Sequence, residues 1–180
     1  MRSWWAVAVL LVACSRPRPF FIATYGDGYP GTAYRAEPEH VAIAAADGHV
    51  VQATRTRSDL CVVLVHTGSP EMPQFFTLYC NLRSVAVARP GRAVVRGEVI
   101  GMVDGDRPWV RFLLCTYLCT MVTWSRHSTM PLNQIAAAPE DLEGTLDPER
   151  HMAGCYEPGR RYDPATLTRP VLCRDGSLDP

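Results

Sequence analysis

Between His40 and Val122 the chain is a succession of short β-type runs, each cut off by glycine or proline. Val41-Ala-Ile-Ala-Ala-Ala ends at Asp47-Gly48, a dipeptide suited to a tight hairpin turn, and His49-Val-Val-Gln-Ala-Thr resumes the strand pattern. Leu60-Cys-Val-Val-Leu-Val-His66 reads as a buried strand from its β-branched content. Gln74-Phe-Phe-Thr-Leu-Tyr-Cys80 is its expected hairpin partner, across a loop holding Gly68, Pro70 and Pro73. Val85 to Ala88, Val94-Val95 and Val99-Ile100 add short strands divided by Gly91, Gly97 and Gly101, and Trp109 to Val122 is a further apolar run. Short strands at this spacing, separated by glycine turns, predict a mainly β protein built as an antiparallel sandwich or barrel-like sheet.

Outside that stretch the chain changes character. Residues 15–40 are turn-rich, opening with Arg16-Pro17-Arg18-Pro19 and passing through Gly26, Gly28, Pro30 and Gly31. After Trp124 periodicity is weak, apart from a short helix predicted over Pro139 to Leu146, whose Glu140, Asp141 and Glu143 suit a first turn. At the N-terminus, Arg2 is a positive flank, and Trp4 to Val12 is a nearly pure apolar run too short to span a membrane. Leu11-Val12-Ala13-Cys14 resembles the bacterial lipobox, in which cleavage before the cysteine leaves it to carry a diacylglycerol. An ordinary signal peptide with an incidental cysteine is the alternative. A lipid on Cys14 would tether the chain to a membrane surface. Ser15, rather than an Asp, at the next position implies by the same resemblance an outer-membrane address facing the periplasm. The expected organisation is a signal peptide at residues 1–13, a tether at 14–24, a β domain at 25–124 and an irregular extension at 125–180.

With 47% hydrophobic residues the chain can bury a core, and a formal net charge of +0 gives no electrostatic pull on nucleic acid, so no nucleic-acid partner is expected. Six cysteines follow Cys14, namely Cys61, Cys80, Cys115, Cys119, Cys155 and Cys173. An even number in an exported chain favours disulfides over metal thiolates, although six cysteines allow 15 connectivities. Cys155 with Cys173 is the strongest pair, because the loop-rich tail holding them has no other clamp. Cys115-x-x-x-Cys119 suits either a thiol metal pair or a local bridge; beside the strand-borne Cys61 and Cys80, disulfides are favoured.

Ala46-Asp-Gly-His-Val-Val51, then Val62 to Gly68, then Thr77-Leu-Tyr-Cys-Asn-Leu82, then Val87 to Gly101 with its Gly91, Gly97 and Gly101, resemble in this order the LytM/lysostaphin-like zinc metallopeptidases. The resemblance implies an open antiparallel sheet of the duplicated hybrid motif type, with a groove across one face where family members cut peptidoglycan cross-bridges. It also implies zinc held by the His and Asp of an H-x-x-x-D stretch and by the second His of an H-x-H, with two further His residues acting on water and oxyanion. Here Tyr79-Cys80-Asn81-Leu82 stands for the family's Tyr-Ala-His-Leu, and Pro108-Trp109-Val110-Arg111-Phe112 for Pro-His-Leu-His-Phe. Asn81 and Trp109 therefore replace the catalytic His residues, and Arg111 replaces a zinc ligand. The first ligand pair should fall near residues 27–33, where Asp27-Gly-Tyr-Pro-Gly-Thr32 holds no His, and no His precedes His40.

Asn is no general base near neutral pH, and losing such a group costs about 10²–10⁴ in rate. Without a metal no water is activated and no amide polarised, and the fixed charge of Arg111 repels Zn²⁺. The expectation is a disabled peptidase with no catalytic residues and no cofactor, its family's zinc having lost its ligands. Tyr79, Asn81, Trp109 and Arg111 are the candidate ligand-binding residues. Two bland readings stand beside that one: Trp109 fills the vacated pocket with Arg111 paired to Asp104 or Asp106, and Asn81 caps a turn. A relocated metal site among His40, His49, His66, His127 and His151 has Asp47/His49 as its nearest candidate, but no spacing signals convergent ligands.

The expected function is a peptidase-like envelope lipoprotein that binds peptidoglycan or regulates murein hydrolases. The alternatives are an active zinc murein endopeptidase with a non-standard ligand set, and a structural lipoprotein that displays residues 125–180. A biotinyl- or lipoyl-type carrier shares the glycine pattern but needs a lysine to modify, and this chain has none.

Overall fold

The computed structural model describes residues 21–23, 31–36, 40–55, 60–70, 72–116 and 145–173. Strands β1 (Phe21–Ala23), β2 (Thr32–Arg35), β3 (Val41–Ile43), β4 (Gly48–Arg55), β5 (Leu60–Thr67), β6 (Gln74–Val85), β7 (Ala93–Val94), β8 (Val99–Val103), β9 (Trp109–Cys115) and β10 (Thr145–Leu146) are joined in one sheet. The main path runs β1-β2-β9-β6-β5-β4-β7, with β10 beside β9, and β8 bridging β3 to β6. Every strand pair is antiparallel. The mainly β, antiparallel character predicted from the Gly-punctuated runs, and the open sheet implied by the family resemblance, are observed.

Alternation along the central strands sorts the side chains. Val110, Phe112 and Leu114 of β9, Tyr79 of β6 and Val62 and Leu64 of β5 enter the main core, where none is exposed. The intervening residues Leu113, Cys115, Leu78, Cys80, Cys61 and Val63 form a second cluster on the opposite face. Each large apolar side chain so buried stabilises the fold by about 1.5–3 kcal/mol.

The β5–β6 hairpin forms as predicted, with Val62 opposite Tyr79 and His66 opposite Phe75. Strand β6 runs past Cys80 to Val85, so the segment from Val85 adds no separate strand. At Asn81 it changes partner: Cys80 is the last residue paired with β9, and Leu82 the first paired with β8. The expected hairpin at Asp47-Gly48 does not form. β3 pairs with β8, β4 pairs with β5 and β7, and Gly48 already lies within β4. Glycine is needed there for close approach, since a Cβ would stand 2.4 Å from the Val65 carbonyl oxygen and 2.6 Å from His66 Nδ1.

The C-terminal segment is built into the same core. Leu167 and Val171 are fully buried against it, Thr168 N donates to Ala45 O at 2.9 Å, and Ile43 N donates to Pro170 O at 2.9 Å. Tyr34 donates its hydroxyl to Glu149, which ties β2 to a 3-10 helix over Pro148–His151. Of the helix predicted over Pro139 to Leu146, residues 139–144 lie outside the described residues. Its end is extended instead: Thr145 and Leu146 pair with Cys115 and Leu114 on β9, and pairing with an apolar edge outweighs a weak local helix preference. Disulfides join Cys61 to Cys80 and Cys155 to Cys173. The latter spans 18 residues, a loop whose closure is worth about 3 kcal/mol. Cys115 is also disulfide-bonded; Cys14 and Cys119 lie outside the described residues.

Candidate functional site

The face of the sheet opposite the main core carries the candidate residues. Residues directly opposite each other in an antiparallel pair project to the same side. Arg111 of β9 faces Ala33 of β2 on one flank and Cys80 of β6 on the other. Trp109, two residues earlier on the same side, faces Arg35. Arg111 is 6% exposed and Ala33 fully buried, while Trp109 and Arg35 are half-buried. The Cys61–Cys80 disulfide ties β5 to β6 on this face.

Asn81 follows Cys80 and is the extra residue of a β-bulge. Leu60 pairs with Leu82 and Val62 with Tyr79, so three steps on β6 answer two on β5. Its φ of 66° lies in the left-handed region that Asn enters more easily than most residues. Its Nδ2 donates to Arg107 O at 2.9 Å and to Trp109 O at 2.6 Å. Two acceptor partners fix which amide atom is nitrogen, and they pin the chain as it enters β9. Asn81 is 2% exposed, and its Oδ1 is buried without a hydrogen-bond partner among the described residues. It therefore does not cap a turn after the strand, the bland expectation for this residue; it clamps the neighbouring strand from within β6.

Tyr79 is not brought to this face. It is fully buried in the main core, meets Phe112 edge-on at 5.2 Å, and its hydroxyl accepts from Ala45 N at 2.8 Å. Burial pushes its pKa up to about 12. Period-two alternation puts residue 79 inward wherever residue 80 faces the groove, so the expectation of Tyr79 as a ligand-binding residue is corrected. Asp104 stands 3.9 Å from Arg107 and accepts from Asp106 N at 3.2 Å.

The histidines are scattered by the fold. His66 is 1% exposed and stacks on Phe75 at 4.8 Å. Its Nδ1 lies 2.8 Å from Asp47 O and its Nε2 2.7 Å from Thr77 Oγ1. A carbonyl only accepts, so Nδ1 carries the proton and Nε2 accepts from the threonine hydroxyl. Burial lowers the pKa of His66 to about 4, the opposing pull of its Asp47 bond being smaller. Asp47 accepts from Arg96 N at 2.7 Å, and His49 is exposed on β4. Among the described residues no three of His, Cys, Asp and Glu converge on a metal-sized site. His127 lies outside them.

Zinc demands imidazole, carboxylate or thiolate donors. Ala33, Arg111, Trp109 and Asn81 present a methyl group, a guanidinium, an indole and an amide whose nitrogen is already committed. The residues on this face do not fit the ion. Sequence reading missed Ala33, because only the pairing register identifies it as the β2 residue opposite Arg111. Of the stretch expected to hold the first ligand pair, residues 27–30 lie outside the described residues.

Compared with known proteins, residues 27–110 match the model of peptidase family M23. The match stops one residue short of Arg111. No curated protein matches the chain.

Proposed function

From a chain that carries a peptidase family M23 domain over residues 27–110, we propose a non-catalytic envelope lipoprotein that binds peptidoglycan or regulates murein hydrolases in cell-wall remodelling. The observation that carries this reading is the row of Ala33, Arg111 and Cys80 across β2, β9 and β6, with Trp109 and Asn81 beside it. At these positions nothing can hold zinc, act as a base near neutral pH or polarise an amide carbonyl.

The same face offers the means to bind. Arg35 and Trp109, both half-buried, face one another across β2 and β9 and set a guanidinium beside an aromatic surface, with Arg111 buried in the adjoining row. Guanidiniums engage carboxylates in paired, directional hydrogen bonds, and murein stem peptides carry free carboxylates. The Cys61–Cys80 disulfide stiffens the floor, so little ordering is required when a peptide docks. A lipid on Cys14 would hold this face at the outer membrane, within reach of the wall in the periplasm.

The test is the zinc content of the purified protein by elemental mass spectrometry after dialysis without chelator, together with co-sedimentation on isolated sacculi. No zinc, no released murein fragments and retention on sacculi or on a murein hydrolase are the expected results. Near-stoichiometric zinc with chelator-sensitive release of fragments would establish an active endopeptidase and overturn the proposal.

A further inference from the structure

A concave surface lies where the C-terminal segment meets the start of β4 and the end of β5. It encloses about 510 Å³, and its walls include Arg96, Arg160, Arg161, Tyr156, Tyr162 and Asp47. Its walls carry three guanidiniums and the Asp47 carboxylate, and with Arg160 paired to Glu157 the Arg96 and Arg161 charges still exceed that of Asp47.

The walls are held in place by the fold. Arg96 donates through Nη1 to Ala45 O at 2.8 Å, and its guanidinium lies 4.5 Å from the Tyr162 ring centroid. Arg160 lies 5.2 Å from the same ring and pairs with Glu157 at 2.8 Å. Tyr162 in turn accepts from Glu157 N at 2.9 Å and stacks with Tyr156 at 6.5 Å between centroids. Tyr156 packs so closely on Gly97 that a Cβ there would stand 2.3 Å from its ring. The Cys155–Cys173 disulfide closes the segment behind them. Within this frame Arg161 is exposed and has no hydrogen bond or ion pair among the described residues.

We propose that this cleft binds an oxyanion, a carboxylate or phosphate carried by a small soluble ligand. Arg161 is the arm left to engage the anion, and Arg96 and Arg160, steadied by Tyr162, complete a positive rim. Guanidiniums meet both oxyanions with the same forked geometry. A concave, half-enclosed site favours a small ligand over a flat lipid surface. Burial lowers the pKa of Arg96, Asp47 opposing, and an anion in the cleft would offset that desolvation.

The test is calorimetric titration of the purified full chain, at low ionic strength, with inorganic phosphate and separately with the tripeptide Glu-Glu-Glu. Saturable binding of either probe is expected; phosphate alone would indicate a phosphate ester as the natural source, and the tripeptide alone a carboxylate. Arg161→Glu should weaken binding at least about tenfold. Arg89→Glu, an exposed charge reversal elsewhere, should leave it unchanged, and Arg161→Gln provides a milder variant if the reversal disturbs folding. Absence of saturable binding of both probes below about 10 mM, or equal losses from the Arg161 and Arg89 substitutions, would overturn the proposal. Such a failure would leave the binding face around Arg111 unaffected.

Discussion

Lowering the pH from 7 toward 5 should weaken this protein through His66. The ring is buried and neutral, with Nδ1 donating to Asp47 O and Nε2 accepting from Thr77. Its pKa is lowered from 6.5 to about 4, first by burial. Because the folded value lies below the unfolded one, the unfolded chain takes up the proton first. Stability is full above pH 6.5 and falls as the pH drops toward 4. Integrating the two titrations between pH 7 and pH 5 gives a loss of about 2 kcal/mol. In a chain of this size that lowers the Tm by about 4–8 °C. The assay is urea unfolding at pH 7, 6 and 5 with disulfides intact, on the natural protein and on His66→Gln. The two proteins differ only at residue 66, so the difference in slope isolates His66. A glutamine side chain does not titrate, so that variant starts less stable yet should lose about 2 kcal/mol less over this range. Identical slopes in the two proteins would refute the argument from burial.

Leu167→Ala should cost about 2–5 kcal/mol by calorimetry or urea unfolding, because the side chain is fully buried in the core that the sheet itself uses; a loss below about 0.5 kcal/mol would mean that the C-terminal segment is dispensable. Asn81→Ala should cost about 1–3 kcal/mol in the same assays, since the bonds from its Nδ2 to Arg107 O and Trp109 O are lost, Arg107 O keeping only Trp109 N. Asn81→Gly should be milder by about 1–2 kcal/mol, because glycine takes a φ of 66° without strain; equal losses would show that backbone conformation contributes nothing there.

What could be read from the residues depended on how local the deciding contact is. The β5–β6 hairpin was legible because both strands and their loop lie within a short stretch, and Cys155 with Cys173 because no other cysteines share that tail. The pairing of β3 with β8 was not, since nothing near Val41 announces a partner near Val99. Asp47-Gly48 carried a hairpin signature, but the His66 ring and the Val65 carbonyl, far along the chain, are what require the glycine. That Asn81, Trp109 and Arg111 carry no imidazole, carboxylate or thiolate could be read from residue types alone. The side of the sheet each residue takes could not, and Tyr79 was misplaced for that reason. The Arg161 cleft was invisible because its walls come from segments far apart in the chain.

The bulge at Asn81 also changes how β6 is counted. Before it, odd positions such as Phe75, Thr77 and Tyr79 turn inward; after it, the even position Leu82 does. One inserted or deleted residue in this strand would thus exchange inside for outside along half its length. The Cys61–Cys80 bond acts as a lock on that parity. A slip of one residue would swing Cys80 to the face opposite Cys61, and sulfurs on opposite faces cannot be joined. Closing the bond in an oxidising compartment is thus a check that the miscounted strand has been placed correctly. A reducing compartment would let the chain fold without that check.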